Sequence, residues 1–257
     1  MEELILSTLQ RTLVAATPLL LATTGEIICE RSGILNLGVE GVMAIGAVIA
    51  FIVTMATGQP WLGVLAASAA GMALCVIHAL ACITLQANQV VSGLALTMIG
   101  LGLSVILGKP YVGTPLKVKM EDFQIPVLSD IPFVGDIFFN QSPMFYLAVV
   151  LSLAAWFFME QTLGGIRLKA SGENPKAAET QGVNVTLVRY LSVIIGGGFS
   201  GLAGAFLSIS YSTSWIEGMT AGRGWIAIAL TIFALWNPLR AIWSACLKNP
   251  LLSKGVP

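Results

Sequence analysis

The sequence predicts an all-α fold, a polytopic bundle of transmembrane helices forming a single domain over residues 1–257. Three observations carry that reading. Hydrophobic residues make up 56% of the chain and charged residues 10%, with a mean hydropathy of +0.86, where a soluble domain carries about 25% charged residues. No Asp, Glu, Lys or Arg interrupts the stretch from Gly41 to Gly108, and a bilayer-spanning helix needs about 20 apolar residues. Lys plus Arg balances Asp plus Glu at 13 each, so no net field recommends nucleic acid as a partner; the lipid bilayer is the surrounding this composition fits.

Seven apolar segments are marked in order, at roughly 4–24, 38–57, 61–85, 89–108, 143–159, 187–208 and 224–247. The first follows Met1-Glu2-Glu3, acidic where a cleaved signal needs basic residues, and no small-residue cleavage site closes it, so it is expected to be retained. The second, third and fourth are separated by Thr57-Gly58-Gln59-Pro60 and Gln86-Ala87-Asn88-Gln89. Turns this short predict three antiparallel neighbours.

Between the first two segments, residues 25–37 are too apolar for an ordinary loop. They read either as a full turn on one side of the membrane or as a segment dipping into it, where irregular backbone survives only if protein or a water-filled cavity satisfies its polar groups. Beyond the fourth segment, 109–142 and 160–186 are polar and separated by one span, so they face opposite sides. Arg31, Arg189, Arg240, Lys248 and Lys254 fall on the side of 160–186, and only Arg223 joins the three lysines of 109–142. The positive-inside rule then places 160–186 in the cytoplasm, and 109–142 and the N-terminus outside.

Within 160–186, Asn174 is a helix cap, Pro175 suits the first helical position and Gly182 is a natural stop. A helix of about seven residues is only ~10 Å long, so 174–182 is expected to lie along the membrane face, with Ala177 and Ala178 allowing another protein to approach closely. In the sixth segment, Gly197-x-x-x-Gly201 and Gly201-x-x-x-Ala205 permit close helix packing. Cys29, Cys75, Cys82 and Cys246 show no metal-ligand spacing and read as small apolar fillers, and His78 reads as a buried polar packing residue. No metal or cofactor is expected.

Two constellations place ionisable groups beside apolar spans, where each costs roughly 2.5–3.5 kcal/mol and needs a partner or a function. Glu30, Arg31, Asn36 and Glu40 form the first, with Arg31 expected to pair with Glu30 or Glu40. Trp215, Glu217, Arg223 and Trp225 form the second, which repeats the ingredients of an acid, an arginine, close glycines and a following apolar segment. The two constellations suit an inverted repeat with a site at its interface. The acids, arginines and tryptophans read either as structural charge pairs and membrane-surface anchors or as part of a substrate pathway.

Together Glu30-Arg31-Ser32-Gly33-Ile34-Leu35-Asn36-Leu37-Gly38-Val39-Glu40-Gly41, Gly172-Glu173-Asn174-Pro175 and Gly218-Met219-Thr220-Ala221-Gly222-Arg223-Gly224-Trp225-Ile226-Ala227 resemble the permease subunits of bacterial ABC importers. The subgroup is the one that works with basic-membrane-protein-type lipoprotein receptors in nucleoside uptake, related to ribose and branched-chain amino-acid permeases. The resemblance implies a cytoplasmic-membrane protein that is not itself an enzyme. It also implies a separate ATPase, a second permease subunit and an external substrate-binding lipoprotein as partners. Glu173, Asn174, Pro175, Lys176, Ala177 and Ala178 become the expected coupling helix that docks on the ATPase. Nucleosides are the expected cargo, with a ribose-like sugar as the alternative and a stand-alone secondary transporter as the rival mechanism. No G-x-x-x-x-G-K-[ST] phosphate loop occurs in the sequence, consistent with hydrolysis in a partner. Family members continue with further membrane helix after Asn237-Pro238-Leu239-Arg240, so the resemblance also implies a shortened C-terminus here.

Overall fold

The computed structural model describes residues 2–118, 120, 121, 123, 124 and 139–252. Much of the loop expected outside, and the last five residues, lie beyond those described. The described residues are helical almost throughout: α1 Glu2–Arg31, α2 Val39–Thr57, α3 Pro60–Ala79, α4 Gln89–Gly108, α5 Pro143–Gln161, α6 Leu163–Glu173, α7 Pro175–Thr180, α8 Val185–Ala205, α9 Arg223–Phe233 and α10 Pro238–Leu252. A two-residue antiparallel ladder pairs β1 Phe123–Gln124 with β2 Asn140–Gln141. Single π-helical turns extend α3 through Thr84 and α8 through Tyr211. Six helices among the described residues are long and apolar enough to cross a membrane.

The structure redraws the expected segments in three places. The first does not stop at residue 24, because α1 continues to Arg31; half of 25–37 is helix and only 32–38 is irregular. The seventh is not one span. It breaks between α9 and α10, where Leu235 and Trp236 take φ values of 52° and 54°. The break is held by tertiary contacts: the Trp236 indole donates to the Glu30 carboxylate, and Arg31 Nε donates to the Trp236 carbonyl at 3.2 Å. Finally, α3 and α4 are not close neighbours. They meet mainly near the turn that joins them, and α4 packs along α2 instead. Glycines permit this: a Cβ on Gly41 would sit 2.6 Å from Thr97 Cα, and one on Gly100 would sit 2.6 Å from Gly41 Cα.

Helix α8 is the hub, packed on α1, α2 and α3. Its Gly196 abuts Gly25 of α1, Gly197 and Gly201 abut Gly71 and Ala67 of α3, and Gly204 meets the Met43 carbonyl of α2. With no side chain between them, backbones approach closely enough to gain dispersion over a long seam, which is what holds helices together where apolar burial from water contributes little. The periphery differs: α4 and α5 expose rows such as Met98, Ile106, Val150 and Phe157.

The helix ends fall in two groups. At one end meet Arg31, Gly33, Gln89, Gly172, Tyr190 and Trp236. At the other, Tyr111 packs on Phe51, Gly108 on Trp215, and Pro115 bridges Ser214.

Candidate translocation site

An irregular segment inside a bundle must satisfy its own backbone groups, and 32–38 does so through side chains. Ser32 and Asn36 are fully buried. The Asn36 amide donates to Glu26 Oε1 at 2.9 Å, the Leu35 amide to Gln89 Oε1 at 2.8 Å, and the Gly38 amide to the Asn36 side chain at 2.9 Å. Carbonyls are met in turn: Arg189 Nε donates to Ser32 at 3.2 Å, Thr97 Oγ1 to Leu37 at 2.9 Å, and His78 Nε2 lies 3.1 Å from the Leu35 oxygen. His78 Nδ1 also meets Ser92 Oγ at 2.9 Å. These side-chain bonds hold the segment as a preformed element of the bundle.

That segment delivers the chain to the start of α2 inside the bundle. Residues 212–222 do the same from the opposite end for α9, with glycines at 218 and 222 at φ of 71° and 80°. The two helix N-termini then meet. Glu40, 5% exposed in the first turn of α2, accepts from the Gly222 amide at 2.9 Å and the Gly224 amide at 2.6 Å. A helix start leaves orphan N–H groups and about half a positive charge, so one carboxylate lies on the positive ends of two helices. Gly224 is obligatory for this closeness, because a Cβ there would sit 2.5 Å from the Glu40 backbone.

The expected residues divide among four places. Glu30 and Arg31 come together, joined through Trp236 beside Lys169 and Glu173. Asn36 lies in the buried segment, and Glu40 at the paired helix starts. Trp215 is buried against Gly108 at the far end, while Glu217 and Trp225 are exposed and apart from it. Arg223 donates to the Met219 carbonyl at 2.7 Å and stacks over Tyr211 with 5.6 Å to the ring centroid. The expected pairing of Arg31 with Glu30 or Glu40 does not form: the only ion pair among the described residues joins Lys169 to Glu160 at 2.7 Å. Hydrogen bonds to backbone and indole replace it, because the break at 234–237 brings a carbonyl and an N–H to the two side chains.

Helix α7 begins as its cap predicts, with the Ala177 amide donating to Asn174 Oδ1 at 3.1 Å, and Gly182 at φ 79° follows it. Its two alanines differ. Ala178 is buried against its own chain, whereas Lys176, Ala177, Glu179 and Thr180 face outward beside exposed Glu173.

Five participants escaped the reading of the sequence as site residues: Glu26, Gln89, Thr97, Arg189 and Trp236. Gln89, Thr97 and Arg189 act on backbone of the segment and the Trp236 indole on the Glu30 carboxylate, all far along the chain, partnerships that no spacing announces; Glu26 acts on the Asn36 amide ten residues on. Glu26, one turn before Glu30 on an apolar helix, carried the only available signal.

The family described as branched-chain amino acid transport system / permease component matches residues 8–248. The chain is 47% identical to the putative glucose ABC transporter permease protein TsgC13 of Haloferax volcanii, over 93% of this chain and 74% of that protein. It is 40% identical to the guanosine ABC transporter permease protein NupQ of Bacillus subtilis, over 91% and 77% respectively. The nucleoside ABC transporter permease protein NupC of Lactococcus lactis is 34% identical, over 95% and 80%. No solved structure matches.

Proposed function

From the premise that this chain belongs to the branched-chain amino acid transport system permease family of ABC importers, we propose that it forms a nucleoside pathway across the cell membrane, driven by a separate ATPase. Membership makes the chain a multi-pass transport component rather than a catalyst, in keeping with its six membrane-length helices. The observation that favours nucleosides is likeness over more than nine-tenths of this chain to two permeases named for guanosine and nucleosides. A second reading, a sugar, is favoured by the glucose-named relative at 47% identity. Both cargoes are uncharged and rich in hydroxyl groups.

In this reading the buried segment 32–38, Glu40 and the start of α9 line the pathway. Asn36, Arg223 and Glu217 serve substrate passage or the geometry that frames it, with Trp215 packed behind. The end bearing α6 and α7 faces the cytoplasm, and 109–142 faces outward toward a receptor lipoprotein. The exposed rows on α4 and α5 meet lipid or a second permease subunit. Closure of the ATPase dimer does mechanical work only if it binds one permease conformation better than another, and the outward face of α7, with Glu173, Asn174, Pro175 and Lys176 leading to Ala177, is the contact for it.

Two measurements test this. In reconstituted transporter, radiolabelled guanosine uptake is expected to be suppressed by unlabelled guanosine and not by glucose, ribose or leucine; ATP-dependent uptake of radiolabelled glucose or ribose with none of guanosine would replace the nucleoside reading by the second. For orientation, Lys176→Cys in a Cys246→Ser background is expected to resist an impermeant maleimide in intact cells and to react in inverted vesicles. Labelling in intact cells would reverse the topology.

A further inference from the structure

Arg189, in the first turns of α8, touches neither the paired helix starts nor the outward face of α7, yet it links the two regions. Its Nε donates to the Ser32 carbonyl and its Nη2 to the Ser171 carbonyl, both at 3.2 Å. Ser32 follows the last residue of α1, and Ser171 lies in the last turn of α6. Both carbonyls therefore belong to helix C-termini, where acceptors are orphaned and the dipole is negative. One planar cation spans two such ends, a geometry that suits guanidinium and not a point-charge ammonium.

The two backbones are also in direct contact there. A Cβ on Gly172 would lie 3.1 Å from the Gly33 nitrogen, and one on Gly33, already at φ 89°, would lie 3.2 Å from Gly172 Cα. From Gly172 the chain runs without slack into α7: the Asn174 amide bonds the Ala170 carbonyl at 3.0 Å, and the Ala178 amide bonds the Asn174 carbonyl at 3.0 Å. From Ser32 it runs through the partnered segment to Glu40. A displacement of α7 has a stiff route to the buried segment, and Arg189 is the tie that holds the route closed.

We propose that Arg189 is a positioning residue for energy coupling, converting movement of α6 and α7 into movement of the segment 32–38 and the helix starts that it carries. This inference rests on the ATP-driven reading above. The test uses the complete transporter in proteoliposomes and reads ATP hydrolysed per substrate molecule imported. For Arg189→Gln that ratio is expected to rise about tenfold, within the range by which single residues shift coupling, with hydrolysis itself little changed. Arg189→Lys keeps the charge without spanning both carbonyls and is expected to give a rise of about threefold. If Arg189→Gln does not assemble, Arg189→Lys carries the test alone. A ratio equal to wild type in an assembled variant, or uptake and hydrolysis falling in proportion, would overturn the proposal. Wild-type uptake that persists without the ATPase would overturn the ATP-driven reading itself, a separate outcome.

Discussion

Glu40→Ala is expected to lower the yield of folded permease sharply and to depress its melting temperature in detergent. The substitution strands the buried Gly224 amide and leaves the half-buried Gly222 amide without its acceptor. A buried donor left unsatisfied costs about 1–3 kcal/mol, so Gly224 alone removes a sizeable share of the 5–15 kcal/mol that keeps a typical protein folded, and the half-buried Gly222 amide adds a smaller loss. The same change removes the anion from two helix N-termini, adding to the loss. Glu40→Gln retains one acceptor oxygen and is expected to fall between wild type and alanine in melting temperature. Normal melting of Glu40→Ala with loss of uptake alone would instead make Glu40 a substrate contact, since capping is a property of the unliganded fold.

The contrast between Glu40 and Asn174 shows what a linear sequence discloses. Asn174 caps a donor three residues away, so a cap, a proline and a stop glycine write α7 into the text. Glu40 caps donors more than 180 residues away, and only the suspicion attached to any acid on an apolar helix marks it. Span boundaries follow the same division. Turn-forming residues announce the ends of α2, α3 and α4, whereas the Ala234-Leu235-Trp236 break is apolar and owes its conformation to Glu30 and Arg31 on α1. Asn237-Pro238 was its one local sign, because the residue before proline leaves the helical region. The glycines of α8 disclosed that it packs closely, and the identity of the partners, Gly25, Gly71, Ala67 and Met43, emerged only in three dimensions.

Ala177→Arg is expected to abolish ATP-driven uptake while leaving membrane insertion and melting temperature at wild-type values. A helix of six residues gains little from its own hydrogen bonds, since isolated helices under about 12 residues are marginal in water. Its order comes from the Asn174 cap and from Ala178, buried against the chain with its carbonyl accepting the Val183 amide at 3.1 Å. Ala178→Arg would force a cation into that packing and so tests the fold. Ala177 faces outward, where a long charged side chain disturbs nothing internal and obstructs only what docks there. The ATPase is expected to co-purify with wild-type transporter and with Ala177→Ser, but not with Ala177→Arg. Uptake unchanged in Ala177→Arg, with the ATPase still bound, would move the coupling contact away from α7.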